Sequence, residues 1–103
     1  TAGSDLEREW LRFEEARNLR LPTSGQTLIA GCHTQPDFLY EGDYSAAIYV
    51  DGPIHHYAHR HARDTAQTEA MRDHGYLVIR FAHTDDWSAK IAEYPYVFGK
   101  ERR

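Results

Sequence analysis

Lysine is almost absent from this chain of 103 residues. Only Lys90 and Lys100 occur, so no site built from residues before position 90 can use an ammonium group. Arginine carries the remaining positive charge, and its planar fork suits phosphate and carboxylate better than a point charge does. Cysteine is rarer still: Cys32 stands alone, which excludes an internal disulfide and any Cys-x-x-Cys zinc site. A reducing, cytoplasmic setting is the expectation. Long apolar runs are missing too, and stretches such as Ala46-Ala47-Ile48-Tyr49-Val50 are far too short to span a bilayer. No basic-then-apolar stretch of the secretory type is visible. Nor is there an excess of positive charge. Twelve Lys and Arg against sixteen Asp and Glu leave −4 with the seven histidines neutral, which argues against nucleic-acid binding by bulk electrostatics alone. An acidic site that holds a divalent cation is not excluded, because the ion reverses the local sign.

Apolar residues at 41% and charged residues at 27% are globular proportions. The length suits one modest core, and no repeat, low-complexity tract or linker divides it. The expectation is a single domain over residues 1–103 and, since the first residue is Thr1, a piece of a larger protein. Ser4-Asp5-Leu6-Glu7 matches a capping box, and Leu6, Trp10, Phe13 and Ala16 follow at helical spacing, which predicts a helix over 5–18. Thr23-Ser24-Gly25 reads as a turn. Strands are expected at Gln26–Cys32, Gln35–Tyr40 and Ala46–Asp51, joined by short turns into an antiparallel meander. A second helix follows over Ala62–His74, with Ala62, Ala66, Ala70 and Met71 as its apolar stripe and Gly75 as its cap. Tyr76–Phe81 is apolar at nearly every position, which predicts a central strand parallel to the third. Asp85-Asp86-Trp87 is placed to cap a short helix through Ile91.

The chemistry-bearing residues fall in a definite order: Pro36-Asp37-Phe38, Ile48-Tyr49-Val50-Asp51-Gly52, His55-His56, Asp64, then Gly75 to Phe81. This order resembles the PD-(D/E)xK nuclease superfamily and, within it, the very-short-patch-repair (Vsr)-like endonuclease branch, over residues 5–87. The resemblance implies a restriction-endonuclease-like α/β sandwich, a mixed central sheet with flanking helices. An exposed edge position for Tyr76–Phe81 would count against it. It also implies a DNA endonuclease that uses Mg²⁺ or Mn²⁺ to hydrolyse phosphodiester bonds in DNA repair or restriction. Such domains are often attached to a helicase or another DNA-processing module. Asp37 would be the primary metal ligand, the carbonyl of Val50 a second, and Asp51 a further ligand or the holder of a water. His56 would be the catalytic histidine, Asp64 the acid that orients it, and Glu7 a helical acid supporting the site. The chain departs from the superfamily pattern where acid-x-Lys is usual: Tyr49-Val50-Asp51 carries neither that acid nor the lysine.

Each of these residues has an ordinary structural reading as well. Glu7 is the third position of the capping box, Asp51 begins an Asp-Gly-Pro turn, Asp64 suits a helix N-cap, and Cys32 is buried bulk. Trp10, Phe13 and Phe81 are core residues. The run from His55 to His61 reads as a solvated loop, although His55, His59 and a carboxylate would be a chemically possible zinc set. The competing functional reading keeps the fold and drops the chemistry: a degenerate nuclease module that binds nucleic acid or a protein partner.

Overall fold

The computed structural model describes residues 2–25, 36–53 and 57–100, with the side chains of residues 2–4 and 57–64 outside that description. Its elements are α1 (Ala2–Ala16), β1 (Ser24–Gly25), β2 (Phe38–Tyr40), β3 (Ala46–Asp51), α2 (Tyr57–Asp73), β4 (Leu77–Ala82), α3 (Trp87–Ala92) and α4 (Pro95–Phe98). The four strands form one mixed sheet in the order β1-β2-β3-β4. β1, β2 and β3 pair antiparallel, and β4 runs parallel to β3 in the register Ala46↔Leu77 through Asp51↔Ala82. The intervening α2 makes that parallel pairing possible.

Strand alternation divides the core into two layers. Phe38, Tyr40, Ala46, Ile48, Val50, Ile79 and Phe81 turn toward α1 and its Trp10. Leu39, Ala47, Tyr49 and Val78 turn the other way, against Met71 of α2. Trp10 is fully buried, stacked on Phe38 at 5.0 Å and meeting Phe81 edge-on at 5.4 Å. Burial of a strand pair on both faces explains why β3 is apolar almost throughout. This is an α/β sheet with a long helix on each side.

Several expectations need correction. α1 begins at Ala2, so Ser4 lies inside the helix rather than at its start. Ser24 and Gly25 are a short strand rather than a turn, because the Thr23 N–H donates to the Leu39 carbonyl and draws the segment onto β2. The strand expected at 26–32, with Cys32, lies outside the described residues. α2 begins at Tyr57, so residues 59–61 are helical where a loop was expected, and Asp64 is about two turns inside the helix rather than at its N-cap. Ala66 is exposed, whereas Thr68 contacts Arg80 and Met71 is fully buried; these two set the rotation of the helix. Gly75 does end it, at φ 88°, where a side chain would be strained.

β4 is the last strand of the described sheet, not a central one. Its outer edge is covered in part. The Lys90 ammonium donates to the Arg80 carbonyl, Trp87 Nε1–H donates to the Ala82 carbonyl at 2.8 Å, and the Ala82 N–H donates to Asp85 at 2.9 Å. That covering blocks the Arg80–Ala82 part of an edge that a strand apolar on both faces would otherwise leave open. α3 is capped by Asp86 as its sequence suggests, the carboxylate accepting from the Ala89 N–H at 3.1 Å.

Candidate metal centre

At the open end of the β2–β3 hairpin two carboxyls meet, those of Asp37 and Glu7, with the charge of Asp51 near enough to be felt. Asp37 stands just before β2, and its backbone N–H donates to the Ile48 carbonyl at 2.9 Å. Its carboxylate accepts the Val50 N–H at 2.7 Å, so a side chain continues the ladder where the strand's backbone pairing stops. Within a strand the N–H and C=O of one residue point to the same edge. The Val50 carbonyl is therefore directed toward Asp37 as well. The next residue points the opposite way: the Asp51 carbonyl accepts the His83 N–H at 2.9 Å.

Glu7 of α1 reaches this point from the other layer. Its carboxyl shares a hydrogen bond with that of Asp37, a contact that replaces the capping box its sequence position suggested. Leu6 lies over Gly52 beside it, its Cδ2 3.7 Å from where a β-carbon would stand, which fixes the start of α1 against the end of β3. Asp51 adds its charge from the end of β3. Burial is the main reason the Asp37 pKa is pushed up to about 7; the Val50 N–H opposes the rise, while the Glu7 hydrogen bond and the Glu7 and Asp51 charges add to it. Carboxylates held together in this way make the ionised form costly and give a cation a reason to bind.

The donor set is all oxygen, which suits Mg²⁺ or Mn²⁺ rather than zinc. Side chains alone do not complete a site: among the described residues no group of three His, Cys, Asp or Glu is placed to close on a metal ion. Asp37 with the Val50 carbonyl is the pair that fits, with Glu7 and Asp51 at its margins. Of the residues singled out in the sequence, Asp37, Val50 and Glu7 come together, while Asp51 adds only its charge and is itself bonded to Arg80. His55 and His56 lie outside the described residues, as do the side chains of His59, His61 and Asp64.

Two residues near the core were missed. Arg80 sits on the same sheet face as Asp51, and its Nη1 lies 3.2 Å and 3.4 Å from the two carboxylate oxygens. An arginine inside an otherwise apolar strand was the signal. Glu14 is fully buried, and its carboxyl oxygens have no hydrogen-bond partner among the described residues. Its pKa is raised to about 8 by burial, partly offset by Arg17. It lies one helical turn after Trp10, within the apolar stripe, and that spacing foretold burial.

The chain matches no family model, no curated protein and no solved structure. Any function must therefore be argued from its residues. No helix among the described residues is long and apolar enough to cross a membrane.

Proposed function

We propose that this chain is a divalent-metal-dependent endonuclease domain of the PD-(D/E)xK, very-short-patch-repair-like type, hydrolysing phosphodiester bonds of DNA. The observation that carries the reading is the seat of Asp37: a half-buried carboxylate on the Val50 N–H, with Glu7 hydrogen-bonded to it and Asp51 beside it. Mg²⁺ or Mn²⁺ would be held by Asp37 and the Val50 carbonyl. Once bound, such an ion polarises a phosphoryl oxygen and lowers the pKa of the attacking water.

The chain's own residues supply the rest. Asp37 must be ionised to hold a cation, and a pKa of about 7 means that this form dominates only above neutrality. Glu7 hydrogen-bonds Asp37 from α1, and Asp51, paired with Arg80, is near enough for its charge to be felt there. His56 is the proposed proton-transfer residue, oriented by Asp64, in a chain with no lysine before Lys90 to serve instead. With a net charge of −4, the domain is proposed to draw DNA affinity from the cation and from an attached module such as a helicase.

A non-cutting module that binds nucleic acid or protein is the second reading, favoured by the missing acid-x-Lys and by the absence of three converging metal-ligating side chains among the described residues. Cleavage of duplex DNA with Mg²⁺ at pH 8 decides between them. The nuclease reading expects nicking by the wild-type chain that chelation abolishes and that Asp37→Asn lacks. A folded wild-type chain that binds DNA without cutting it supports the second reading.

A further inference from the structure

Glu14 occupies a seat that usually takes an apolar side chain. α1 is stopped by Asn18, which adopts the left-handed conformation at φ 55°. The Asn18 N–H donates to the Glu15 carbonyl and the Leu19 N–H to the Glu14 carbonyl, both at 3.1 Å. Helix stops of this kind frequently carry an apolar contact between the residue at the Leu19 position and one at the Glu14 or Phe13 position. Leu19 is buried as that pattern requires, but the fully buried Glu14 brings a carboxyl.

Neither oxygen of that carboxyl has a hydrogen-bond partner among the described residues. Two groups reach it by charge, Arg17 just past the end of α1 and Tyr40 of β2. The Arg17 guanidinium lies 3.5 Å over the Phe13 ring and donates to the Phe13 carbonyl. The Tyr40 hydroxyl donates to the Arg20 carbonyl at 2.8 Å, and the Arg20 guanidinium stands 5.5 Å over the Tyr40 ring. The last turn of α1 also carries the negative end of the helix dipole, which opposes a carboxylate there. The closed structure therefore accommodates the protonated acid, in keeping with a pKa of about 8.

The segment after this stop is lightly tied. Its Arg20 N–H donates to the Phe98 carbonyl and its Thr23 N–H to the Leu39 carbonyl, both at 2.8 Å. β1 meets β2 only at Ser24↔Leu39 and Gly25↔Phe38. β3 and β4, by contrast, pair from Ala46↔Leu77 through Asp51↔Ala82, with buried clusters on both faces. A charge forced onto Glu14 is released at least cost by lifting the stop rather than by parting the sheet.

We infer that the Glu14 proton is a latch on the end of α1: when it leaves, the stop at Asn18 and the segment through β1, residues 17–25, lift from the sheet as a unit while β2, β3 and β4 stay paired. The latch does not depend on the metal centre or on the proposed nuclease chemistry. Lifting it bares Trp10, Tyr40 and Phe98, so the chain gains an apolar surface in mild alkali without unfolding.

The test is limited digestion with trypsin, the cut bonds being identified by mass spectrometry. Arg17 and Arg20 lie in the latch and Arg80 in β4, so one chain reports on both regions. Cutting of a transiently opened chain follows the population of the open form. Initial rates are compared between wild type and Glu14→Gln at the same pH, which cancels the protease's own pH dependence and the titration of Asp37. The ratio of wild type to variant after Arg17 and Arg20 is expected to rise about tenfold or more from pH 6 to pH 9. At pH 9 the wild-type chain is expected to be cut there well before it is cut after Arg80. Glu14→Leu, which restores the usual apolar residue, carries the comparison if Glu14→Gln does not fold. A ratio that does not change with pH would overturn the latch. So would cutting after Arg80 as fast as after Arg20, which would mean that the whole chain opens together.

Discussion

The Asp37 carboxylate accepts the Val50 amide proton at 2.7 Å, so the acid preceding β2 is tied to the backbone of β3. That bond gives one residue two duties, closing the hairpin's open end and placing a negative charge beside the Val50 carbonyl. The two duties separate by mutation. Asp37→Asn keeps an oxygen for the Val50 N–H and removes a carboxylate that burial disfavours, so stability is expected to change by less than about 1 kcal/mol. Asp37→Ala leaves that N–H unpaired and is expected to cost about 1–3 kcal/mol in denaturant unfolding. Equal stability of the two variants would show that the bond contributes nothing.

Glu7 raises the Asp37 pKa both by its hydrogen bond and by its charge. Glu7→Gln removes the charge and lets an amide donate to the Asp37 carboxylate. Carboxyl-resolved NMR titration is expected to show the Asp37 midpoint moving down from about 7 toward the ordinary aspartate range. No movement would place Glu7 outside the site.

Glu14 gives the stability a pH dependence of its own. Its folded pKa of about 8 lies above the ordinary 4.5, so between these values the folded chain keeps a proton that the unfolded chain releases. Stability is therefore full in mild acid and falls as pH rises from about 4.5 through about 8, by on the order of a few kcal/mol. Asp37, raised from 3.8 to about 7, acts in the same direction at lower pH. Glu14→Gln is expected to melt at a higher temperature than wild type at pH 8 and close to it at pH 5. A melting difference that does not change with pH would contradict this.

The histidine run is resolved by activity rather than by geometry. His56→Ala is expected to lower Mg²⁺-dependent cleavage by about 10²-fold, the scale of a lost acid–base group, with much smaller losses for His59→Ala and His61→Ala. Equal losses at all three would indicate a diffuse basic surface.

Much of this architecture is legible in the residues. The register of β3 follows from the run Ala46–Asp51, and the parallel β4 follows from an apolar run after a helix closed by Gly75. The short hairpin between β2 and β3 brings Asp37, just before β2, onto the Val50 N–H near the end of β3. The failures have tertiary causes. Ser4-x-x-Glu7 is a sound local cap signal, but the helix starts earlier, at Ala2, and Glu7 bonds Asp37 of another element. β4 looked central because both its faces are buried, yet side chains of Asp85, Trp87 and Lys90 cover an edge that periodicity cannot see. Arg80 and Glu14 are not legible in this way, because a polar residue inside an apolar run carries no sign of whether the fold gives it a partner or leaves it buried without one.

The most direct test of the metal centre is a calorimetric titration of the folded chain with Mn²⁺ at pH 8, where Asp37 is ionised, alongside Asp37→Asn. The proposed site predicts saturable binding by the wild-type chain that weakens as pH is lowered through about 7 and is lost in the variant. Wild-type and Asp37→Asn chains that bind Mn²⁺ alike, or that both fail to bind it, would contradict the account.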